Sequence, residues 1–438
     1  MQTLGHGIAN RLTRPTRTAD ASAPQTKEIP VKKTLAWAVT LVTAATCTLG
    51  AALPAAAAND TTATAATAAA NGSAIDTSSL DPKTKALVDE ILAKLPANWQ
   101  ERLQTANAKY GIGDAQWTEI RDSVINPGDY KCQSTELTAY ANTLLDDAED
   151  PFVIFILSLF GGFDLPTYDA LLFGSESKAN TFGVNGEYTN QLTSETKELK
   201  KFWDIYSDDI QLMPMHGADV FSSPERAART LAVLYGGTPE SNLDLAETFI
   251  ELINSEPVLK GGANPIFTFN AFAFSEKGDP QPLGISDRIV MGDGILEAMQ
   301  AIGLGDTAPR AILGHEFGHH VQYENNLFDN TTLTGPEATR RTELMADAFG
   351  TYFLTHSRGE ALNTKRVLGS AQSFYQVGDC SFRSNGHHGT PNQRLAASTW
   401  GASVANDAAN QGHIVPSMKL DELFEAKLPD FVKPDATN

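Results

Sequence analysis

Between Ala308 and Asn325 the chain reads APRAILGHEFGHHVQYEN, and this stretch restricts the possible folds more than any other. Asp306 or Thr307 can cap a helix here, Pro309 suits its first turn, and Ala311, Ile312 and Leu313 give it an apolar face. The two histidines of His315-Glu316-Phe317-Gly318-His319 are four residues apart and so project from one side of that helix. The fold must therefore seat an apolar helix while leaving a pair of imidazoles facing a neighbour.

A neighbour is predicted downstream. A second helix opens at Gly335-Pro336-Glu337 and ends near Gly359, and within it Glu343 and Asp347 also lie four apart on one face. Two imidazoles at helical i, i+4 spacing can reach one ion at about 2.0 to 2.1 Å. Glu343 is the expected third ligand, and Asp347, one turn on, can accept a hydrogen bond from the remaining ring N–H of a ligand histidine. Glu316 points beside the metal rather than at it, placed to take a proton from water. The pattern predicts one Zn²⁺ held by His315, His319 and Glu343, with Glu316 as general base for peptide-bond hydrolysis. His320 sits about 100° round the helix from His319 and is expected to face away. The competing reading is a non-catalytic binding or adhesion protein braced by zinc. Structural zinc sites usually fill all four positions, often with cysteine, and no cysteine lies near the motif.

A third segment, Gly386 to Arg394 (GHHGTPNQR), reads as a loop entering a helix capped by Thr390 with Pro391 at its start. Hydrolysis passes through an oxyanion that a nearby donor stabilises. His388 and Arg394 are the candidates, and the pattern does not separate His388 from its neighbour His387.

Taken in order, HEFGHHVQ, ELMADAFG and HGTPNQR resemble successive motifs of a bacterial family of neutral zinc metallopeptidases, whose members carry similar H-E-[YF]-G-H-H-V-Q, E-L-x-A-D and H-G-[ST]-x-x-Q-R. The resemblance spans roughly residues 260–410. It implies a zincin fold of the glutamate-ligand type with His315, His319 and Glu343 as ligands and Glu316 as base. The segment IFTFNAFAF, Ile266 to Phe274, also resembles the edge strand that precedes the metal helix in related zincins. There Asn270 and Ala271 would pair with an extended substrate backbone; an ordinary core strand is the other reading. Residues 79–255 have no counterpart in the family.

The remaining chain divides by texture. Residues 1–58 read as an export signal with a long polar leader: Lys32 and Lys33 precede an apolar run from Thr34 to Leu53, and Ala56 to Ala58 supply a cleavage site. Residues 59–78, rich in Ala and Thr, read as a flexible linker. Residues 79–255 are expected to be mostly helical, with Ser/Thr/Asp-Pro openings at Asp81, Ser223 and Thr238 and an apolar buried run from Val153 to Phe160. This half could be a propeptide, a substrate-binding lobe or a scaffold. Residues 256–425 form the expected catalytic domain, with strands over 266–274 and 288–291, followed by a tail over 426–438. The fold class expected is α+β: a zincin-like domain of a small sheet and active-site helices, preceded by a mostly helical region.

Charge restricts the partners. Asp and Glu outnumber Lys and Arg 53 to 33, with no basic stripe, which disfavours nucleic acid. A peptide or protein substrate is expected, and no stable membrane partner once the leader is cleaved after Ala58. The mature protein is expected outside the cell, secreted or associated with the cell wall. In that oxidising compartment Cys132 and Cys380 are predicted to pair.

Overall fold

The computed structural model describes residues 41–42, 77, 80–110, 130–132, 134–379, 387–407 and 412–435. The predicted leader and linker, two short pieces apart, lie outside the described residues, and so does Cys380 of the predicted disulfide.

Local sequence signals set most helix starts. Asp81 accepts hydrogen bonds from the backbone N–H of Lys83 and Thr84 at 2.9 and 3.2 Å and opens α1 (Pro82–Lys94). After α2 (Trp99–Tyr110) and α3 (Glu136–Thr143), Asp150 caps α4 (Pro151–Leu159) through the Phe152 N–H at 3.0 Å. The apolar run is thus a helix, with Val153, Ile154, Ile156 and Leu157 buried. There follow α5 (Thr189–Phe202), then α6 (Pro224–Tyr235) and α7 (Pro239–Ser255), whose Ser223 and Thr238 caps act as predicted.

Two expectations are corrected. The expected strand over 266–274 begins only at Ala271, because Asn264 accepts from the Ile266 N–H at 2.9 Å and winds Pro265–Thr268 into a 3₁₀ turn. The cap expected before the first histidine helix is also absent: the Thr307 side chain makes no capping bond, and Asp306 pairs with Arg366 at 3.1 Å.

The sheet holds β1 (Leu41–Val42), β2 (Gln211–Met215), β3 (Ala271–Phe274) and β4 (Arg288–Gly292) in the order β1-β3-β4-β2. β3 runs antiparallel to β4 and to the two-residue β1, whereas β2 is parallel to β4. Pro214 fits within β2 because that strand is an edge, where a missing N–H breaks no ladder.

Beyond the sheet come α8 (Asp293–Ala301), α9 (Ala308–Glu324), α10 (Pro336–Thr355), α11 (Thr364–Gln376), α12 (Pro391–Asn406) and α13 (Ser417–Phe431). α10 is the centre of the molecule, with every residue from Thr339 to Thr355 buried. Residues before position 255 share its core: Trp203 stacks on Phe349 at 5.4 Å between ring centroids, and Phe202 meets Phe353 edge-on at 5.1 Å. Mostly helical with one small sheet, the described chain is α+β.

Candidate metal centre

Helices α9 and α10 cross at backbone contact. A Cβ on Gly350 would lie 2.9 Å from Gly314 C and His315 N, and one on Gly318 would lie 3.1 Å from Ala346 Cα. Glycine inside a helix costs about 1 kcal/mol relative to alanine, and here it removes the side chains that would hold the two helices apart. His315 and His319, each following a glycine on α9, and Glu343, one turn before Ala346 on α10, are therefore brought to one point.

There His315 Nε2 and His319 Nε2 are 3.1 Å apart. Glu343 Oε2 lies 3.4 Å from the first and Glu343 Oε1 3.4 Å from the second. His315, His319 and Glu343 are at most 2% exposed.

The partners behind the rings fix their protonation. His315 Nδ1 lies 2.8 Å from Asp347 Oδ1, and since a carboxylate only accepts, Nδ1 carries the proton. Gln322 donates from Nε2 to Thr342 O at 2.7 Å, which turns its Oε1 to His319 Nδ1 at 3.0 Å, so that nitrogen donates too. With Nδ1 the donor, a neutral ring offers its Nε2 lone pair to a metal. With no metal present, burial opposes charge on His315, but Asp347 and Glu343 outweigh it and raise its pKa to about 9, so a proton faces the carboxylate instead. Neither Glu343 oxygen has a hydrogen-bond partner, although both are buried. Such a cluster is unfavourable unless a cation, a metal ion or a proton, joins it.

The spacing fits an ion. A tetrahedron with ligands about 2.0 to 2.1 Å from its centre has edges of about 3.3 to 3.4 Å, near the 3.1 Å between the two Nε2 atoms and the 3.4 Å from each to a Glu343 oxygen, Oε2 for His315 and Oε1 for His319. Glu316 is the other nearby carboxylate: it lies within 4.8 Å of the histidine nitrogens, 1% exposed, and its Oε2 has no hydrogen-bond partner. Burial holds its carboxyl above the usual range. His315, Glu316 and His319 form a group that could hold a metal ion, and Glu343, within 3.4 Å of both rings, is a second carboxylate that could join it. Burial opposes its charge too, but His388, His319 and His315 outweigh that and hold its carboxyl well below the usual range.

The third segment closes the site. Thr390 and Gln393 form a reciprocal capping box at the start of α12, as the segment's pattern predicts for Thr390. His387 and His388 share one carboxylate, each Nδ1 lying 2.8 Å from an oxygen of Asp379, and the His388 N–H donates to the same group at 2.7 Å. Against the cost of burial, these bonds hold Asp379 below the ordinary carboxylate range. Burial also opposes charge on His388, but Glu343 and Asp379 raise its pKa. Arg394 is buried and bonded to Asp347, from Nε to Oδ2 at 2.8 Å and from Nη2 to Oδ1 at 2.7 Å. It therefore stands behind His315.

His320 turns away from the cluster to Asp287 at 3.2 Å and Arg288 O at 3.0 Å. Asn270 and Ala271 line a cavity beside His315 and Glu316. Four contributors were missed from sequence. Gln322, three residues past His319 and the last residue of the HEFGHHVQ motif, and the helix glycines Gly314 and Gly350 had a local signal, whereas Asp379, which holds His387 and His388, had none. The chain matches no family model, no curated protein and no solved structure.

Proposed function

We propose that the chain is an exported zinc-dependent peptidase with a zincin-like catalytic domain, akin to the HExxH metallopeptidases whose third ligand is glutamate. The observation that carries this reading is the convergence of two imidazole Nε2 atoms and an unpartnered buried carboxylate at tetrahedral spacing. Nitrogen and oxygen donors with no sulfur suit zinc in a site that keeps an open position.

Zinc, when bound, supplies Lewis acidity toward water and the scissile carbonyl. Glu316 then acts as base, taking the proton of the attacking water on its unpartnered Oε2 and passing it to the leaving amine. His388, held by Asp379, donates to the developing oxyanion. Arg394 holds the Asp347 carboxylate in place, and Asp347 keeps the His315 ring in the tautomer that ligates.

Strand addition fits the sheet. Leu41–Val42 already pairs antiparallel with the edge of β3 that carries Ala271. Cleavage of the leader after Ala58 would free that edge for an extended peptide.

The test is Glu316→Gln. Zinc should still bind stoichiometrically while peptide hydrolysis falls by about 10²- to 10⁴-fold, and Glu343→Ala should lose the metal. A zinc-braced binding protein would need Glu316 as a fourth ligand, so a sharp loss of zinc from Glu316→Gln supports that reading instead.

A further inference from the structure

The proposed metal centre is shut in this structure. His315, Glu316, His319, Glu343 and His388 are each at most 2% exposed. The cavity beside His315 and Glu316 holds about 20 Å³ of free space, room for one water and not for a peptide. The proposed reaction therefore requires part of the molecule to move, and the packing decides which part.

The helices around the site are fastened to one another. α9 and α10 meet backbone to backbone at Gly314 and Gly350, and α12 is tied to α10 by the Arg394–Asp347 ion pair. The connection between α9 and α10 is held at its two ends instead. It leaves α9 through a left-handed cap: Asn326 has a φ of 55°, and the N–H groups of Asn326 and Leu327 return to Tyr323 O and Gln322 O at 3.1 and 2.9 Å. Leu327 is buried, and its carbonyl accepts from Arg341 Nη1 at 2.8 Å. The far end is Gly335, whose φ of 57° and ψ of −141° favour glycine. Between these ends Asp329, Asn330, Thr332 and Thr334 are exposed, and the Leu333 N–H bonds within the segment, to Thr331 Oγ1 at 3.1 Å.

Phe328 holds this segment down. Its ring stacks on Tyr323 at 4.6 Å and on His319 at 6.2 Å between centroids, with 25° and 29° between the planes. It covers the ring of a proposed ligand while being only half-buried itself. Releasing one aromatic side chain costs far less than separating packed helices, so the stack can serve as a latch.

We propose that residues 328–334 form a gate over the metal centre, which the Phe328 ring latches shut on His319 and which swings between Leu327 and Gly335 to admit ion and substrate. This inference rests on the metal centre of the peptidase reading above.

The test is zinc exchange in the full chain, followed by stopped flow with a chromophoric chelator, and it needs no cleavage. A gate changes the rates of entry and exit by one factor, because it sets how often the site is open and leaves the affinity of the closed site alone. Phe328→Ala should therefore speed zinc uptake and zinc loss alike by roughly tenfold, with the dissociation constant unchanged. Phe328→Leu, which keeps an apolar side chain and loses the ring, should shift both rates in the same direction by a smaller factor and carries the test if the alanine variant folds poorly. A weaker dissociation constant with unchanged uptake would make Phe328 a brace for His319, and unchanged rates would leave the segment without a gating role. Either result overturns the inference and leaves the peptidase reading standing. An unaltered chain that binds no zinc overturns both.

Discussion

Asp347 and Arg394 form a two-pronged ion pair inside the molecule, at 2.7 and 2.8 Å, and the same carboxylate receives the His315 ring at 2.8 Å. One side chain thus links His315 to α12, the helix of the third motif. Removing it frees His315 to rotate and to change tautomer. Asp347→Ala should weaken zinc binding about 10- to 100-fold, measured by competition with a chelator. Arg394→Ala leaves a buried carboxylate uncompensated and should cost roughly 3 to 5 kcal/mol of stability in urea denaturation. Unchanged zinc affinity in Asp347→Ala would show that Asp347 does not orient the ligand.

The helix crossing offers a second test, one that touches no ligand. A methyl group on Gly350 would meet the Gly314 and His315 backbone at 2.9 Å, and backbone cannot rotate away as a side chain can. Gly350→Ala should therefore push α9 from α10 and cost about 1 to 3 kcal/mol. Because His315 and His319 ride on one helix and Glu343 on the other, zinc affinity should fall with it. A variant of normal stability and normal affinity would mean that the crossing does not set the metal geometry.

How far the site could be read from the sequence follows from the range of each interaction. His315 and His319, like Glu343 and Asp347, are related by a single helical turn, so their shared faces were legible. Caps at Asp81, Ser223, Thr238 and Thr390 are local too, and they match. What escaped was tertiary. β2 reads Gln-Leu-Met-Pro-Met, with no β-branched residue and a proline, and is a strand only because β4 lies beside it. The Pro265–Thr268 turn had a local signal in Asn264-Pro265, masked by the aromatic and β-branched residues around it. That Asp379 serves both His387 and His388 is a contact across eight and nine residues that no local pattern signals.

Glu195 gives a pH test away from the site. It lies on α5, 0% exposed, with neither carboxylate oxygen hydrogen-bonded. Arg310 Nη1 is 3.7 Å away but is bonded to Glu360. Burial, and then the charge of Glu360, push its pKa well above the usual value against the pull of Arg310. The folded chain thus keeps a proton that the unfolded chain loses near pH 4 to 5, at about pKa 4.3. Stability from this group is full below that pH, falls as pH rises toward the folded pKa, and is level above it. Glu195→Gln should remove the decline and make the protein more stable at pH 8 by over about 1 kcal/mol, while changing little at pH 4. Urea denaturation of both proteins across this range checks it; parallel pH profiles would count against a protonated Glu195.

Zinc removal links the site to the fold. Without a cation, the two Nε2 atoms stand 3.1 Å apart and both Glu343 oxygens are buried with no hydrogen bond, their nearest charged neighbours being the histidines at 3.4 Å and Arg394 at 3.7 Å. The folded state then carries an electrostatic cost that the unfolded chain, with its ligands in water, does not. Free zinc at 100 times its dissociation constant should stabilise the protein by about 2.7 kcal/mol, a rise in Tm of roughly 3 °C, and a chelator should reverse it. On the proposed reading, with Glu316 as base rather than ligand, Glu316→Gln should keep the whole shift. Glu343→Ala should lose it, and since that change also removes the unpaired carboxylate, the zinc-free variant should be little less stable than the zinc-free parent. If Glu343→Ala shifts with zinc as far as the parent does, Glu343 is not the third ligand.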